Sequence, residues 1–217
     1  MLIIAHRGFA HNCQENTLDA IKQAQAIGVD MVEIDIRVTK DKIAILCHDT
    51  FIQTDKGKLY INKSTFQELA LADNQLTKLE QALAMTKIHY LIEIKPKVDT
   101  APIIEVIQKH RNNNLIIASF DYKVLQDIKQ TLPTLPLAVL DKWSGVRASH
   151  RARKLQTKTI VINQRWLWSG FIKSVANAGY DLYSYTINDS SKATKWQNQG
   201  LAGAITDRPD TLRKLTK

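Results

Sequence analysis

Along most of this chain, short apolar runs alternate with longer stretches whose apolar positions recur every three to four residues. The first pattern predicts buried strands and the second helices with one face turned inward. Leu2–Ala5 opens the series as a strand. Asn16-Thr17-Leu18-Asp19 then reads as a helix start, with Asn16 as the cap, and Ala20, Ile21, Ala24 and Ile27 carry the helix to Gly28. Further strands are predicted over Met31–Ile36, Tyr90–Lys95, Leu115–Ser119, Leu137–Leu140, Thr159–Asn163, Leu182–Ile187 and Gly203–Ile205. Helices are predicted over Lys78–Thr86, Thr100–His110, Tyr122–Thr131, Gly145–Leu155, Ser169–Ala178, Ser190–Gln199 and Pro209–Leu215.

Regular strand–helix alternation implies right-handed crossovers and a parallel sheet, and eight such units close a (β/α)8 TIM barrel. A doubly wound open sheet is the competing architecture, but no Gly-x-Gly-x-x-Gly follows any of the strands. The second strand continues as Val32–Val38, turns through Thr39–Lys42 and returns over Ile43–Asp49, a β-hairpin extension. Pairing about Lys40-Asp41 sets His48 opposite Glu33. A small insertion with weaker periodicity follows at about residues 50–76, and residues 1–217 read as a single TIM-barrel domain.

In this architecture catalytic groups sit at the C-terminal ends of the strands. Polar residues collect there: His6-Arg7, Glu33 and Asp35, Glu93 and Lys95, Ser119, Asp141, Asn163, Thr186 and Asn188, and Thr206-Asp207. Glu33 and Asp35 are two apart, so both carboxylates leave a strand on the same face. Sharing one buried volume, they call for a compensating cation or a catalytic task. With Glu93 they form an oxygen-only donor set, which suits Mg²⁺ or Ca²⁺ rather than zinc. His6 and His48 beside them suit a general acid and a general base near neutral pH. Arg7 and Lys95 supply fixed positive charge for an anionic substrate. Together these groups point to metal-assisted displacement at phosphorus.

Composition narrows this further. With 44% hydrophobic residues, 217 residues can build a full core. Cys13 and Cys47 match no metal or redox spacing and read as small buried apolar residues. The N-terminus carries no signal h-region, and no apolar run is long enough to span a bilayer, so a soluble cytoplasmic protein is expected. The net charge of +9 favours anionic partners. It concentrates between Lys142 and Tyr180, where eight Lys and Arg occur without a single Asp or Glu and in company with Trp143, Trp166, Trp168 and Phe171. The preferred reading packs Trp166 and Trp168 between barrel and outer helix and leaves the cations solvated; the other places this stretch against anionic lipid. No nucleic-acid motif accompanies the basic pI, so nucleic acid is not expected as a partner. Oligomeric state is left open.

His6-Arg7-Gly8, Glu15-Asn16-Thr17, Glu33-x-Asp35, His48-Asp49, Glu93-Ile94-Lys95, Thr186-Ile187-Asn188 and Gly203-Ala204-Ile205-Thr206-Asp207-Arg208-Pro209 occur in an order that resembles the glycerophosphodiester phosphodiesterases, with their phosphatidylinositol-phosphodiesterase-like TIM barrel. The resemblance spans residues 1 to 210. It implies hydrolysis of glycerophosphodiesters to sn-glycerol 3-phosphate and an alcohol, with lysophospholipids as alternative substrates; a non-catalytic phosphate-binding barrel, which would keep Arg7 and Lys95 but not need two histidines, is a reading of a different class. By position it makes His6 and His48 the acid/base pair and Glu33, Asp35 and Glu93 the ligands of one Mg²⁺ or Ca²⁺. Arg7 would contact phosphate, with Glu15 and Lys95 in support and Tyr185 and Asn188 on the substrate side. The chain departs from the family pattern at Gln14, where Pro is usual, and at Tyr185, where Trp is usual. The segment after His48-Asp49 also lacks an Arg-Thr-Thr-like stretch and has only Gln53-Thr54.

Overall fold

The computed structural model describes residues 1–85, 87–110 and 115–214. Its strands, in chain order, are β1 (Leu2–Ala5), β2 (Met31–Val38), β3 (Ala44–Leu46), β4 (Phe51–Thr54), β5 (Gly57–Tyr60), β6 (Tyr90–Ile94), β7 (Leu115–Ser119), β8 (Leu137–Asp141), β9 (Thr159–Asn163), β10 (Asp181–Tyr185) and β11 (Gly203–Thr206). The α-helices are α1 (Leu18–Ile27), α2 (Phe66–Ala72), α3 (Leu79–Leu83), α4 (Ala101–Lys109), α5 (Tyr122–Thr131), α6 (Gly145–Leu155), α7 (Ser169–Asn177), α8 (Ser190–Gln197) and α9 (Pro209–Arg213). The ends predicted at Thr86 and Leu215 fall outside the described residues. Strands β1, β11, β10, β9, β8, β7, β6 and β2 lie side by side in that order, and β2 returns to β1. The predicted eight-stranded parallel barrel is therefore closed.

Two-residue alternation divides each strand between two cores. Ile3 and Ala5 of β1, Val32, Ile34 and Ile36 of β2, and Tyr90, Ile92 and Ile94 of β6 face the helices. Ile4, Met31, Leu91, Ala118, Ala138, Leu140, Val161, Tyr183 and Ile205 fill the barrel interior. The same alternation turns Glu33, Asp35 and Glu93 inward, above this apolar plug. Pairing sets Glu33 beside Leu91 and Asp35 beside Glu93. Gly203 keeps this packing, since a Cβ there would lie 2.6 Å from the Tyr183 ring.

The hairpin closes one residue away from the predicted register. Ile36 pairs with Leu46 and Val38 with Ala44. The loop holds three residues because Lys42 takes a left-handed conformation at φ 66°. The Thr39 hydroxyl accepts from Ile43 N at 3.0 Å and donates to Asp41 at 2.6 Å. β3 ends at Leu46, so His48 is not opposite Glu33 but lies on the loop beyond the ladder. Arg37 holds it there, donating from Nε and Nη2 to the His48 carbonyl at 3.0 and 2.8 Å.

Helix α1 also starts one residue later than predicted. Thr17 is the cap and accepts from Ala20 N at 3.3 Å, while Asn16 sits at φ 57° with its side chain turned into the barrel. The insertion folds as the antiparallel β4–β5 hairpin, a 3₁₀ turn and α2, whose Thr65 and Glu68 form a capping box. Cys13 and Cys47 are free and half-buried rather than fully enclosed. No helix among the described residues is long and apolar enough to cross a membrane.

Candidate active site

His6 follows β1, and its backbone N–H extends the ladder to the Thr206 carbonyl at 2.9 Å. The chain then turns through two left-handed residues, Arg7 at φ 55° and Gly8 at φ 81°. Only glycine fits the second position, because a Cβ there would come within 2.7 Å of the Ala20 backbone. The turn aims Arg7 across the barrel mouth. Its backbone N–H donates to Glu33 Oε2 at 2.9 Å, and Nη1 donates to Glu15 Oε1 at 2.6 Å. Nε lies 3.1 Å from Asp35 Oδ2, close enough for charge attraction but not aligned as a hydrogen bond.

Glu33, Asp35 and Glu93 are all buried, and one oxygen from each lies within 4.8 Å of the others. Lys95 Nζ sits 2.5 Å from both Asp35 Oδ1 and Glu93 Oε1. Three carboxylates thus face two fixed cations, and the compensation is uneven. Burial opposes ionisation of Asp35, yet Lys95 and Arg7 hold it below the usual carboxylate range. Burial leaves Glu93 raised despite Lys95. Burial, with the charge of Asp35 beside it, pushes Glu33 up to about 8. Burial would favour a neutral Lys95, but Asp35 and Glu93 outweigh it and raise its pKa. A third positive centre would relieve Glu33, and an oxygen-only donor set fits a hard divalent cation.

Each imidazole is oriented by a carboxylate. His6 Nδ1 lies 2.6 Å from Asp207 Oδ1 and His48 Nδ1 lies 2.8 Å from Asp49 Oδ1. Both therefore leave Nε2 available for chemistry. Burial disfavours the imidazolium at His6, but the Asp207 hydrogen bond and the Glu33 charge raise its pKa overall. Asn188 braces this arrangement: its Nδ2 donates to Asp207 Oδ2 at 2.8 Å, and its Oδ1 accepts from Asp207 N at 2.9 Å.

A cavity of about 740 Å³ opens over these groups. It brings together His6, His48, Arg7, Glu33, Glu93, Lys95 and Tyr185 from the predicted set. Asp35 lies beneath, Glu15 borders a smaller cavity of about 180 Å³, and Asn188 stands behind Asp207. Tyr185 packs edge-on against Phe120 at 6.1 Å. Gln14, in place of the usual proline, donates to Asp73 at 2.6 Å and ties its loop to the end of α2. Trp143, Trp166 and Trp168 are 67, 47 and 64% exposed, which corrects the expectation that Trp166 and Trp168 pack between barrel and helix. The helping roles of Asp207, Asp49, Asn16 and Arg37 are not readable from spacing, although the first two stand next to a strand end or a predicted histidine.

Residues 6–211 match the sequence profile of the glycerophosphoryl diester phosphodiesterase family. The chain belongs to this family. Its members among characterised proteins include the glycerophosphodiester phosphodiesterase of Caldanaerobacter subterraneus, 27% identical over 100% of this chain and 98% of the relative. The glycerophosphodiester phosphodiesterase of Bacillus subtilis is 25% identical over 100% of this chain and 87% of its own length. Among solved structures, an Oleispira antarctica phosphodiesterase in complex with the product sn-glycerol-3-phosphate superimposes with a TM-score of 0.90 at 25% identity, covering 100% of this chain and 96% of that one. A glycerophosphodiester phosphodiesterase from Thermotoga maritima shares the fold, with a TM-score of 0.85. Like other members of the family, the chain is a phosphoric diester hydrolase, and the alternative of a non-catalytic phosphate-binding barrel falls.

Proposed function

We propose that this glycerophosphodiester phosphodiesterase hydrolyses glycerophosphodiesters to sn-glycerol 3-phosphate and an alcohol, with His6 and His48 as the acid/base pair. The observation that carries this reading is one cavity in which two carboxylate-oriented imidazoles meet a three-carboxylate cluster. The relative crystallised with sn-glycerol-3-phosphate supports the product. Glu33, Asp35 and Glu93 would hold one Mg²⁺ or Ca²⁺, whose positive charge would stabilise the non-bridging phosphate oxygens as negative charge builds. Arg7 binds the phosphate and is kept in line by Glu15; Lys95 keeps Asp35 ionised and offsets part of the burial of Glu93.

The free 2-hydroxyl of the glycerol moiety serves as nucleophile. One histidine takes its proton, the oxygen forms a bond to phosphorus, and the other histidine protonates the departing alkoxide as its P–O bond breaks. Water then opens the resulting cyclic phosphate with the proton roles reversed. Intramolecular attack benefits from the high effective molarity of a neighbouring group.

The test is release of sn-glycerol 3-phosphate from a panel of glycerophospho-alcohols, before and after EDTA and with Mg²⁺ or Ca²⁺ restored. His6→Ala and His48→Ala should each lose most turnover with little effect on folding. Full activity in EDTA contradicts the metal assignment. Absence of a cyclic phosphate in rapid-quench samples contradicts the two-step route.

Lysophospholipids are a second reading, favoured by the exposed Trp143, Val146, Trp166 and Trp168 on the segments that follow β8 and β9. These segments touch, since a Cβ on Gly145 would meet the Phe171 ring. Salt-sensitive co-sedimentation with anionic vesicles, absent with neutral ones, is expected if the acyl chain is drawn from a bilayer.

A further inference from the structure

The cavity over the carboxylate cluster extends well past it, to a wall built from the end of β8 and from α6. Lys142, Trp143, Arg147 and Arg151 line that wall together with Phe120. Its charges are not equivalent. Arg147 is neutralised, donating from Nε and Nη2 to the buried Asp141 at 2.6 and 2.7 Å. Lys142 and Arg151 have no carboxylate within 4 Å among the described residues; each lies over a ring instead, Lys142 Nζ 5.0 Å from Phe120 and Arg151 5.7 Å from Tyr122. The carboxylates elsewhere in the lining are already engaged: Asp49 with His48, Asp141 with Arg147, and Glu33 and Glu93 in the acidic cluster. Two cations without a carboxylate partner therefore face one side of the cavity, and the lining carboxylates lie apart from them, in the acidic cluster or paired with His48 and Arg147.

We propose, on the reading of the site given above, that this wall selects diesters whose leaving alcohol is itself anionic, bearing a phosphate or a carboxylate that Lys142 and Arg151 bind. The glycerol arm is common to all substrates of this class and carries only hydroxyls, so it has no charge to match the wall. The scissile phosphate is met at the other side by Arg7, with Lys95 held between Asp35 and Glu93. Only the variable arm is left to complement Lys142 and Arg151. A cationic alcohol would meet repulsion, because the aromatic face that would otherwise accept it, Phe120, is already covered by the Lys142 ammonium. Arg151 provides the planar fork suited to a phosphate or carboxylate, and Lys142 a second point of charge. A cavity of about 740 Å³ leaves room for such an arm beside the glycerol phosphate.

The experiment compares kcat/KM at low ionic strength for three diesters: glycerophosphocholine, glycerophosphoglycerol, and glycerophosphoglycerol carrying a terminal phosphate. The expected order is anionic above neutral above cationic, with the anionic arm preferred over the neutral one by up to about fivefold, the size of an exposed charge pair. The preference should reside in KM and shrink as salt screens it. The Lys142→Glu, Arg151→Glu double variant should reverse the order, and Lys142→Arg should retain it. Equal kcat/KM for the three overturns the proposal. So does a salt effect that lowers all three alike, which marks general steering of the common phosphate. If none of the three releases sn-glycerol 3-phosphate, the underlying reading fails and this one with it; if all three release it at equal efficiency, only this one fails.

Discussion

Asn16 and Asp35 exchange two hydrogen bonds inside the barrel: Asn16 Nδ2 donates to Asp35 Oδ2 at 2.9 Å, and Asp35 N donates to Asn16 Oδ1 at 3.0 Å. The pair fixes both the strand and the carboxylate, and partners of this kind typically govern ligand strength at metal sites by about 10–100-fold. Asn16→Gly keeps the left-handed backbone and removes only the amide. It should weaken Mg²⁺ or Ca²⁺ binding in calorimetry by about that factor. Unchanged affinity would mean that Lys95 and Arg7 alone orient Asp35.

Asp207 holds His6 by Nδ1, so Asp207→Asn should lower turnover by on the order of 10²-fold, the scale of one misplaced acid/base group. It should also move the pH profile. Asp207 helps raise the His6 pKa against the lowering effect of burial, so its removal lowers that pKa and shifts the corresponding limb of kcat/KM toward acid. A loss of turnover with an unshifted profile would assign Asp207 a purely structural part.

Lys95→Met removes the ammonium that touches two buried carboxylates. Leaving buried charge unpaired costs about 3–5 kcal/mol, less whatever protonation of Asp35 or Glu93 recovers. The urea midpoint of metal-free protein should fall accordingly. Adding Mg²⁺ or Ca²⁺ should recover more stability in the variant than in the wild type. Equal recovery in both would place the cation away from these carboxylates.

Glu33 ties stability to pH. Its folded pKa lies above its unfolded one, so the folded state holds the extra proton, and stability is lost as pH rises from about 4.5 toward 8. His6, also raised in the folded state, is most stabilising below its unfolded value and acts in the same direction. Metal-free protein should therefore melt at lower temperature at pH 8 than at pH 5. Glu33→Gln should flatten the slope, and Mg²⁺ or Ca²⁺ should oppose it. A rising melting temperature over that interval would contradict the uncompensated burial of Glu33.

The sequence carried the barrel because its strands and helices keep strict periods, and those periods decide which side chains meet the core. The same alternation made Glu33, Asp35, Glu93 and Lys95 legible as one inward cluster, since strand periodicity needs no tertiary information. The position of His48 is not legible in the sequence, because hairpin register depends on the conformation of one turn residue, Lys42, and a one-residue slip changes the facing partner. Asn16 read as a helix cap because Asn and Thr share that preference, and only the positive φ and the approach of β2 separate them. The partnership of His6 with Asp207 spans 201 positions, a separation no local pattern encodes.

That separation has a consequence for how the enzyme comes into being. His6 follows β1 at the start of the chain, while Asp207, which orients it, follows β11, the last strand in chain order. The acidic cluster draws only on the pairing of β2 with β6, whereas the imidazole is set by a residue just past β11. Long-range pairing of this sort forms slowly, after the loops between have been closed. The orientation of His6 thus depends on the seam between β1 and β11, the first and last strands of the ring in chain order.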